Sequence, residues 1–221
     1  MLCVTDTWRQ IHQGASMGLM VVKNIGKPAN VEAGETCKRE LEAKLRQTFT
    51  SKEELVNYFP ISVYSQYYKQ YKKTYHVLQQ LESVVFKEKS IPSVSPAVEA
   101  MFMAELKNGL LTAGHDYDVL HLPLTLDAAA GQEQYTLING KEQRVKAQDM
   151  ILSDTAGIIS SIIYGPDRRT RIDPETRQAV YTVYAPAGIP QELVNRHLTD
   201  IYAYIRLMIP GAFLDWQEIV M

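Results

Sequence analysis

Eleven residues, Ala97 to Lys107, would form a helix that is apolar on almost every side, with Val98, Met101, Phe102, Met103 and Leu106 spread around it. A helix without a broad polar face has to be enclosed by other elements. This segment therefore predicts a layered domain built around one central helix. Pro92 to Pro96 leads in as an extended stretch, because a residue before proline avoids helical backbone. Asn108-Gly109 supplies the stop. At 221 residues, 46% hydrophobic and 22% charged, the chain is long enough to form one substantial core.

The flanking segments fill in the layers. Ser16–Asn24 is a short apolar run that reads as a strand. Glu35–Phe49 places Cys37, Leu41, Leu45 and Phe49 at four-residue spacing, the mark of an amphipathic helix. Thr50 and Ser51 with Glu54 look like a new helix start. Next, Tyr64, Tyr67, Tyr68, Tyr71 and Tyr75 recur every three or four residues and line one side of a helix. Interleaved with Lys69, Lys72 and Lys73, they fit either a stacking platform for bases or a packing face with hydroxyls at the rim. The spacing favours packing, and the lysines then form a solvated face.

Beyond the central helix the pattern changes to short strands. Leu122–Leu126, Gln134–Ile138, Gln143–Val145, Ile151–Leu152, Gly157–Tyr164 and Ala179–Ala185 are candidates. Asn139-Gly140 reads as a two-residue hairpin turn, and Asp173-Pro174 as the turn before the last strand. Pro190–Met208 is a closing helix, with Leu193, Leu198, Ile201, Ile205 and Leu207 on its buried side. Helices flanking a block of strands give an α+β, or mixed α/β, single domain spanning residues 1–221.

Composition excludes several functions. A net charge of −2 argues against a dedicated nucleic-acid scaffold, so RNA contact would need a local patch. Cys3 and Cys37 form neither a disulfide framework nor a metal cluster, and a reducing compartment fits them. No segment reaches the roughly 18 apolar residues of a membrane helix, and the N-terminus lacks a signal peptide's apolar run. No membrane association and a cytoplasmic location are the expectations. There is no P-loop, G-x-G-x-x-G, H-E-x-x-H or G-x-S-x-G. The histidines at 12, 76, 115, 121 and 197 lack the paired spacing of a metal site. Neither a cofactor nor a metal is expected.

Two polar loops remain. Thr112-Ala113-Gly114-His115-Asp116 reads as a turn after the central helix, whose small residues leave room for a ligand near the backbone. His115 is a candidate acid or base near neutral pH; the plainer reading is a turn cap or an exposed side chain. The second loop, Gly165-Pro166-Asp167-Arg168-Arg169-Thr170-Arg171, sets three arginines and a carboxylate between strands. Arginine forks suit phosphate or carboxylate; the plainer reading is a solvated hairpin tip.

These segments carry a resemblance. Ile91-Pro92-Ser93-Val94-Ser95-Pro96, then a helix, then Gly109-Leu110-Leu111-Thr112-Ala113-Gly114-His115-Asp116-Tyr117-Asp118-Val119-Leu120 resemble the I-P-S-V-N-P and G-L-P-x-G-G-x-D-L-D-K-L motifs of free-standing B3/B4 proteins. Arg168-Arg169-Thr170-Arg171-Ile172-Asp173 with Thr176 resembles that family's R-x-x-x-R-T-K-I-T-x-x-T. The likeness covers about residues 60–208 and extends to the editing domain of the phenylalanyl-tRNA synthetase beta subunit. That domain hydrolyses tyrosine wrongly esterified to phenylalanine tRNA.

The resemblance implies a pocket for an aminoacyl-adenosine end and a positioned water rather than a covalent nucleophile. Carried over by position, the synthetase's acidic selectivity residue falls near Asp167. Its histidine aligns with Ala113, with His115 two positions on, and Ser95 stands where the free-standing family usually has asparagine. The implied catalytic residues are His115 and Asp167. The implied substrate-binding residues are Ser93, Ser95, Thr112, Ala113, Gly114, Asp154, Gly157, Gly165, Arg168, Arg169, Thr170 and Thr182. Two readings follow. In one, the chain binds a tRNA acceptor end and hydrolyses mischarged aminoacyl-tRNA in trans. In the other, a non-catalytic or small-molecule-binding module, for an amino acid or its ester, keeps the fold without tRNA activity.

Overall fold

The computed structural model describes residues 2–221. The chain opens with strand β1 (Leu2–Val4), helix α1 (Asp6–Ile11) and strand β2 (Ser16–Lys23). Five helices follow: α2 (Val31–Thr48), α3 (Lys52–Asn57), α4 (Ile61–Gln70), α5 (His76–Phe86) and α6 (Pro96–Asn108). The strand-rich part holds β3 (Thr112–Asp116), β4 (Leu124–Ala128), β5 (Gln134–Thr136), β6 (Glu142–Arg144), β7 (Met150–Asp154), β8 (Gly157–Ser161), β9 (Gly165–Pro166) and β10 (Gln178–Ala185). Helix α7 (Gln191–Met208) and strand β11 (Phe213–Val220) complete a single α+β domain. No described helix is long and apolar enough to cross a membrane.

Two sheets share the core. One runs β1-β4-β7-β8-β9, the other β11-β2-β10-β3, and β5-β6 is a separate hairpin. Strands β2 and β10 are central in the second sheet and buried along nearly their whole length, which is why their sequences run apolar rather than alternating. Helix α7 lies so close to β2 that a Cβ on Gly18 would meet Val194 Cγ1 at 2.6 Å.

The central helix is enclosed as its sequence requires. Its backbone begins at Ser95 with Pro96 in the first turn and ends on Gly109 at φ 68°, the left-handed conformation that favours glycine. Ala97, Ala100, Met103, Ala104 and Leu106 are buried, and only Lys107 between 97 and 107 is exposed. Glu99 is drawn inside by Lys38, a fully buried lysine whose Nζ lies 2.9 Å from Glu99 and 2.8 Å from Ser93 Oγ. This pairing fixes the Pro92–Pro96 lead-in against α2.

Several local expectations change. The tyrosine stripe is not one helix: α4 ends at Gln70, and Lys72 turns the chain at φ 57°. Tyr75 then folds back and stacks on Tyr64, 4.6 Å between ring centres and 3° from parallel. Tyr64, Tyr67, Tyr68 and Tyr75 are all buried and pack the core, so none of these four presents a ring face to a base, while Tyr71 is half-buried at the surface. Asn139-Gly140 occupies part of a three-residue turn, closed by Leu137 N–H to Lys141 O at 2.9 Å, with Gly140 at φ 82°. Leu207 points outward at 37% exposure, while Val194 and His197 take the inner face of α7. Thr112–Asp116 is a strand, not a turn. It pairs with β10 along its whole length, Ala113 opposite Thr182 and His115 opposite Val180.

Candidate functional site

Helix α6, strand β3 and the β8–β9 region meet around a cleft of about 450 Å³. Its walls are Val98, Met101 and Phe102 of α6, Leu111 to Gly114, Tyr164 to Pro166, and Ile172. These are the residues left at the surface of α6 once its other sides are packed. Ile172 and Met101 close over Gly114, where a Cβ would stand 2.7 Å from Ile172 Cδ1 and 3.4 Å from Met101 Sδ. Few polar groups converge on the apolar walls: Glu105, Gln80, His76, Ser161 and Arg171.

Glu105 is the chemically distinctive one. Its carboxyl accepts the Thr112 backbone N–H at 2.8 Å and has no cationic partner. Burial pushes its pKa up to about 8, only partly offset by that hydrogen bond, so the acid is protonated at neutral pH. Gln80 Oε1 is buried without a hydrogen-bond partner. His76 is held below the ordinary imidazole value by burial and by Lys73. Behind the cleft, Ser161 donates to Asp149 at 2.6 Å, and burial raises the Asp149 carboxyl to about 7.

Of the residues singled out from the sequence, Thr112, Ala113, Gly114 and Gly165 line this cleft. Ser93 and Ser95 line a neighbouring one of about 350 Å³, separated from the first by Val94 and Ile172, which border both. Thr182 is buried beneath β3, its hydroxyl 3.3 Å from Ala113 O.

The two acid–base candidates lie apart from the cleft lining. His115 is fully buried, with Nδ1 2.8 Å from Thr170 Oγ1, and the Thr170 hydroxyl in turn donates to Asp167. Thr170 can donate only once, so His115 carries its proton on Nδ1, and Nε2 is left buried without a partner. Burial and the nearby Arg169 push the His115 pKa down to about 3. The imidazole stays neutral across the range in which an exposed histidine would titrate.

The arginine loop divides by role. Arg169 sets its Nη2 2.8 Å from Asp154 Oδ1 and its Nε 3.8 Å from Asp167. Burial raises the Asp154 carboxyl, but Arg169 and the N–H groups of His121 and Ala156 outweigh it and hold it low. Asp154 also accepts the Gly157 N–H at 3.2 Å, so these residues form a closed structural knot rather than a cleft wall. Arg168 is exposed beside the Gly140 turn, and Arg171 alone of the three reaches the cleft. Glu105 was legible only as a carboxylate inside a helix with no polar face, a placement that forces burial.

A buried helix flanked by one mixed and one antiparallel sheet, with a cleft at the turn that follows it, defines a single α+β domain. The chain belongs to the B3/4 domain family, whose sequence model matches residues 62–197 and so covers α4 to the first turns of α7. The fold is similar to an N-terminal fragment of the phenylalanyl-tRNA synthetase beta-subunit from Pyrococcus horikoshii, with a TM-score of 0.48 and 12% identity, covering 100% of this chain and 54% of that one. The chain thus spans about half the length of that structure. Comparison with curated proteins gives no match.

Proposed function

We propose that this chain binds the aminoacylated 3′ end of a tRNA and hydrolyses mischarged ester in trans, with the amino acid seated in the cleft between α6 and Gly165-Pro166. One observation carries the reading: the cleft joins apolar walls to a single buried, uncharged carboxyl, Glu105. An amino acid ester offers the complement, an apolar side chain and an α-ammonium. On binding, Glu105 gives its proton to solvent and the carboxylate pairs with the ammonium, which offsets the burial of both charges. Family membership supports an RNA-linked ligand over a free metabolite.

A second reading, binding without turnover, is favoured by one feature. His115, Thr170 and Asp167 bond to one another instead of facing the cleft, so neither acid–base candidate is free to activate water. Deacylation of a panel of mischarged tRNAs by the purified protein separates the two. Ester loss that Glu105→Gln abolishes supports the hydrolase. Saturable binding of an amino acid amide with no ester loss supports the module. Absence of both overturns the assignment of this cleft.

A further inference from the structure

Tyr164 borders two clefts. One is the cleft of Glu105. The other, about 650 Å³, lies between the β5–β6 hairpin and the turn after α4. Lys73, Arg144 and Lys146 line this second cleft, and no carboxylate does. All three cations are exposed, and none makes an ion pair among the described residues. The chain carries a net charge of −2, so the cluster is not a by-product of overall basicity. Lys73 Nζ stands 5.5 Å over the Tyr164 ring. The nearby Glu133 turns its carboxylate to the N–H groups of Ala130, Gly131 and Gln132 at 2.8–2.9 Å.

The trough continues past a second aromatic wall. Tyr71 borders both the basic cleft and a third, about 240 Å³, whose lining includes His12, Gln66 and Gln70. His12 Nε2 is buried there without a hydrogen-bond partner. The three clefts thus share tyrosine walls pairwise, Tyr164 between the apolar cleft with one carboxyl and the cationic one, Tyr71 between the cationic cleft and the amide-rich one.

We infer that this trough is the track for a single-stranded RNA 3′ end. Phosphates lie over Lys73, Arg144 and Lys146, a base meets Tyr71 and His12, and the terminal residue passes Tyr164 into the cleft of Glu105. Aromatic walls alternating with unpaired cations are what single-stranded nucleic acid requires. A lone phosphate would use the cations and leave the rings idle. The inference rests on the function proposed above and names the part of the RNA bound and its route.

The test uses a short, non-aminoacylated, fluorescent single-stranded RNA, with binding followed by anisotropy over a salt series. Replacing Lys73, Arg144 and Lys146 together with alanine is expected to weaken binding and flatten the log–log salt slope by about two, at ~0.7 per lost phosphate contact. Tyr164→Ala should weaken binding without changing the slope. Should the triple variant lose its fold, Lys146→Glu alone, at an exposed position, should lower affinity several-fold. Retained affinity and slope in these variants would overturn the inference. So would equal losses from Arg168→Ala, preference for duplex RNA, or full competition by inorganic phosphate at matched ionic strength. No amino acid is present in this assay, so it does not depend on the pairing proposed for the Glu105 carboxyl. Ester binding lost in Glu105→Gln with RNA affinity unaffected by the triple variant would keep the amino acid half and discard the track. The converse would keep the track and discard the editing cleft.

Discussion

The Thr112 backbone N–H and the Glu105 carboxyl, 2.8 Å apart, tie the last turn of α6 to the first residue of β3. The bond spans the left-handed turn at Gly109 and holds an uncharged acid at the edge of the cleft.

That acid makes stability fall on the alkaline side. Glu105 has a folded pKa of about 8 against an ordinary value of 4.5, so its contribution is full below the ordinary value and is lost as pH rises through about 8. The slope from one such group approaches ~1.4 kcal/mol per pH unit. Asp149, raised to about 7, acts in the same direction. Glu105→Gln keeps an acceptor for Thr112 and removes the titration. Unfolding free energies from denaturant curves at about pH 6 and about pH 8.5 should therefore differ less in the variant than in the parent, by ~2–3 kcal/mol, nearly two pH units at that slope.

The buried histidines set the acid side. His115 and His197 are both pushed down to about 3, chiefly by burial, from 6.5. Their contribution is full above the ordinary value and is lost as pH falls toward about 3. Imidazole resonances of both should stay flat through the neutral range in an NMR pH titration.

Asp154 and Arg168 should behave oppositely, although Arg168 adjoins Arg169, the partner of Asp154. Asp154→Ala strands three N–H groups and the Arg169 guanidinium, and should cost ~3 kcal/mol. Arg168→Ala removes an exposed side chain and should stay within ~0.5 kcal/mol. Chemical denaturation of the two variants checks the contrast.

Tyr75→Phe tests the tyrosine stripe. Its hydroxyl donates to Gly109 O at 3.0 Å in the core. Loss of that bond should cost ~1–2 kcal/mol and leave RNA affinity unchanged. A drop in affinity at unchanged stability would instead reinstate the stripe as a stacking platform.

Gly114→Ala fills the cleft from below. The added methyl meets the end of the Ile172 side chain, which must shift, so the fold should lose ~1–2 kcal/mol. Affinity for an amino acid ester should fall ~10-fold or more, as expected where one methyl group fills a fitted pocket. Calorimetry with a non-hydrolysable amide measures it.

The central helix was legible because its pattern admits one solution: no polar face, hence burial. The capping box at Ser51 and Glu54 and the closing helix were legible for similarly local reasons. Strand β3 was not. Its Ala-Gly pair reads as a loop, yet the small side chains are needed where the strand passes Met101 and Ile172. Nor was the His115–Thr170–Asp167 relay, whose members are brought together from 55 residues apart by pairing of β3 with the arginine loop. Strand β1 is only three residues long, and in the edge strand β11 an irregularity between Leu214 and Trp216 breaks the alternation, so neither stands out.

Tyr164, one ring walled by two clefts, has a consequence for competition. A ligand spanning the ring engages the second cleft as an intramolecular event, at an effective concentration of order mM for a short tether. On the proposed track, each half alone would bind weakly, and the joined molecule would gain by orders of magnitude without a new contact. Abundant free amino acids and free nucleotides then compete poorly, because each fills one side of the ring. Severing the ester would return both products to weak binding, so the partition that selects the linked ligand also speeds its release.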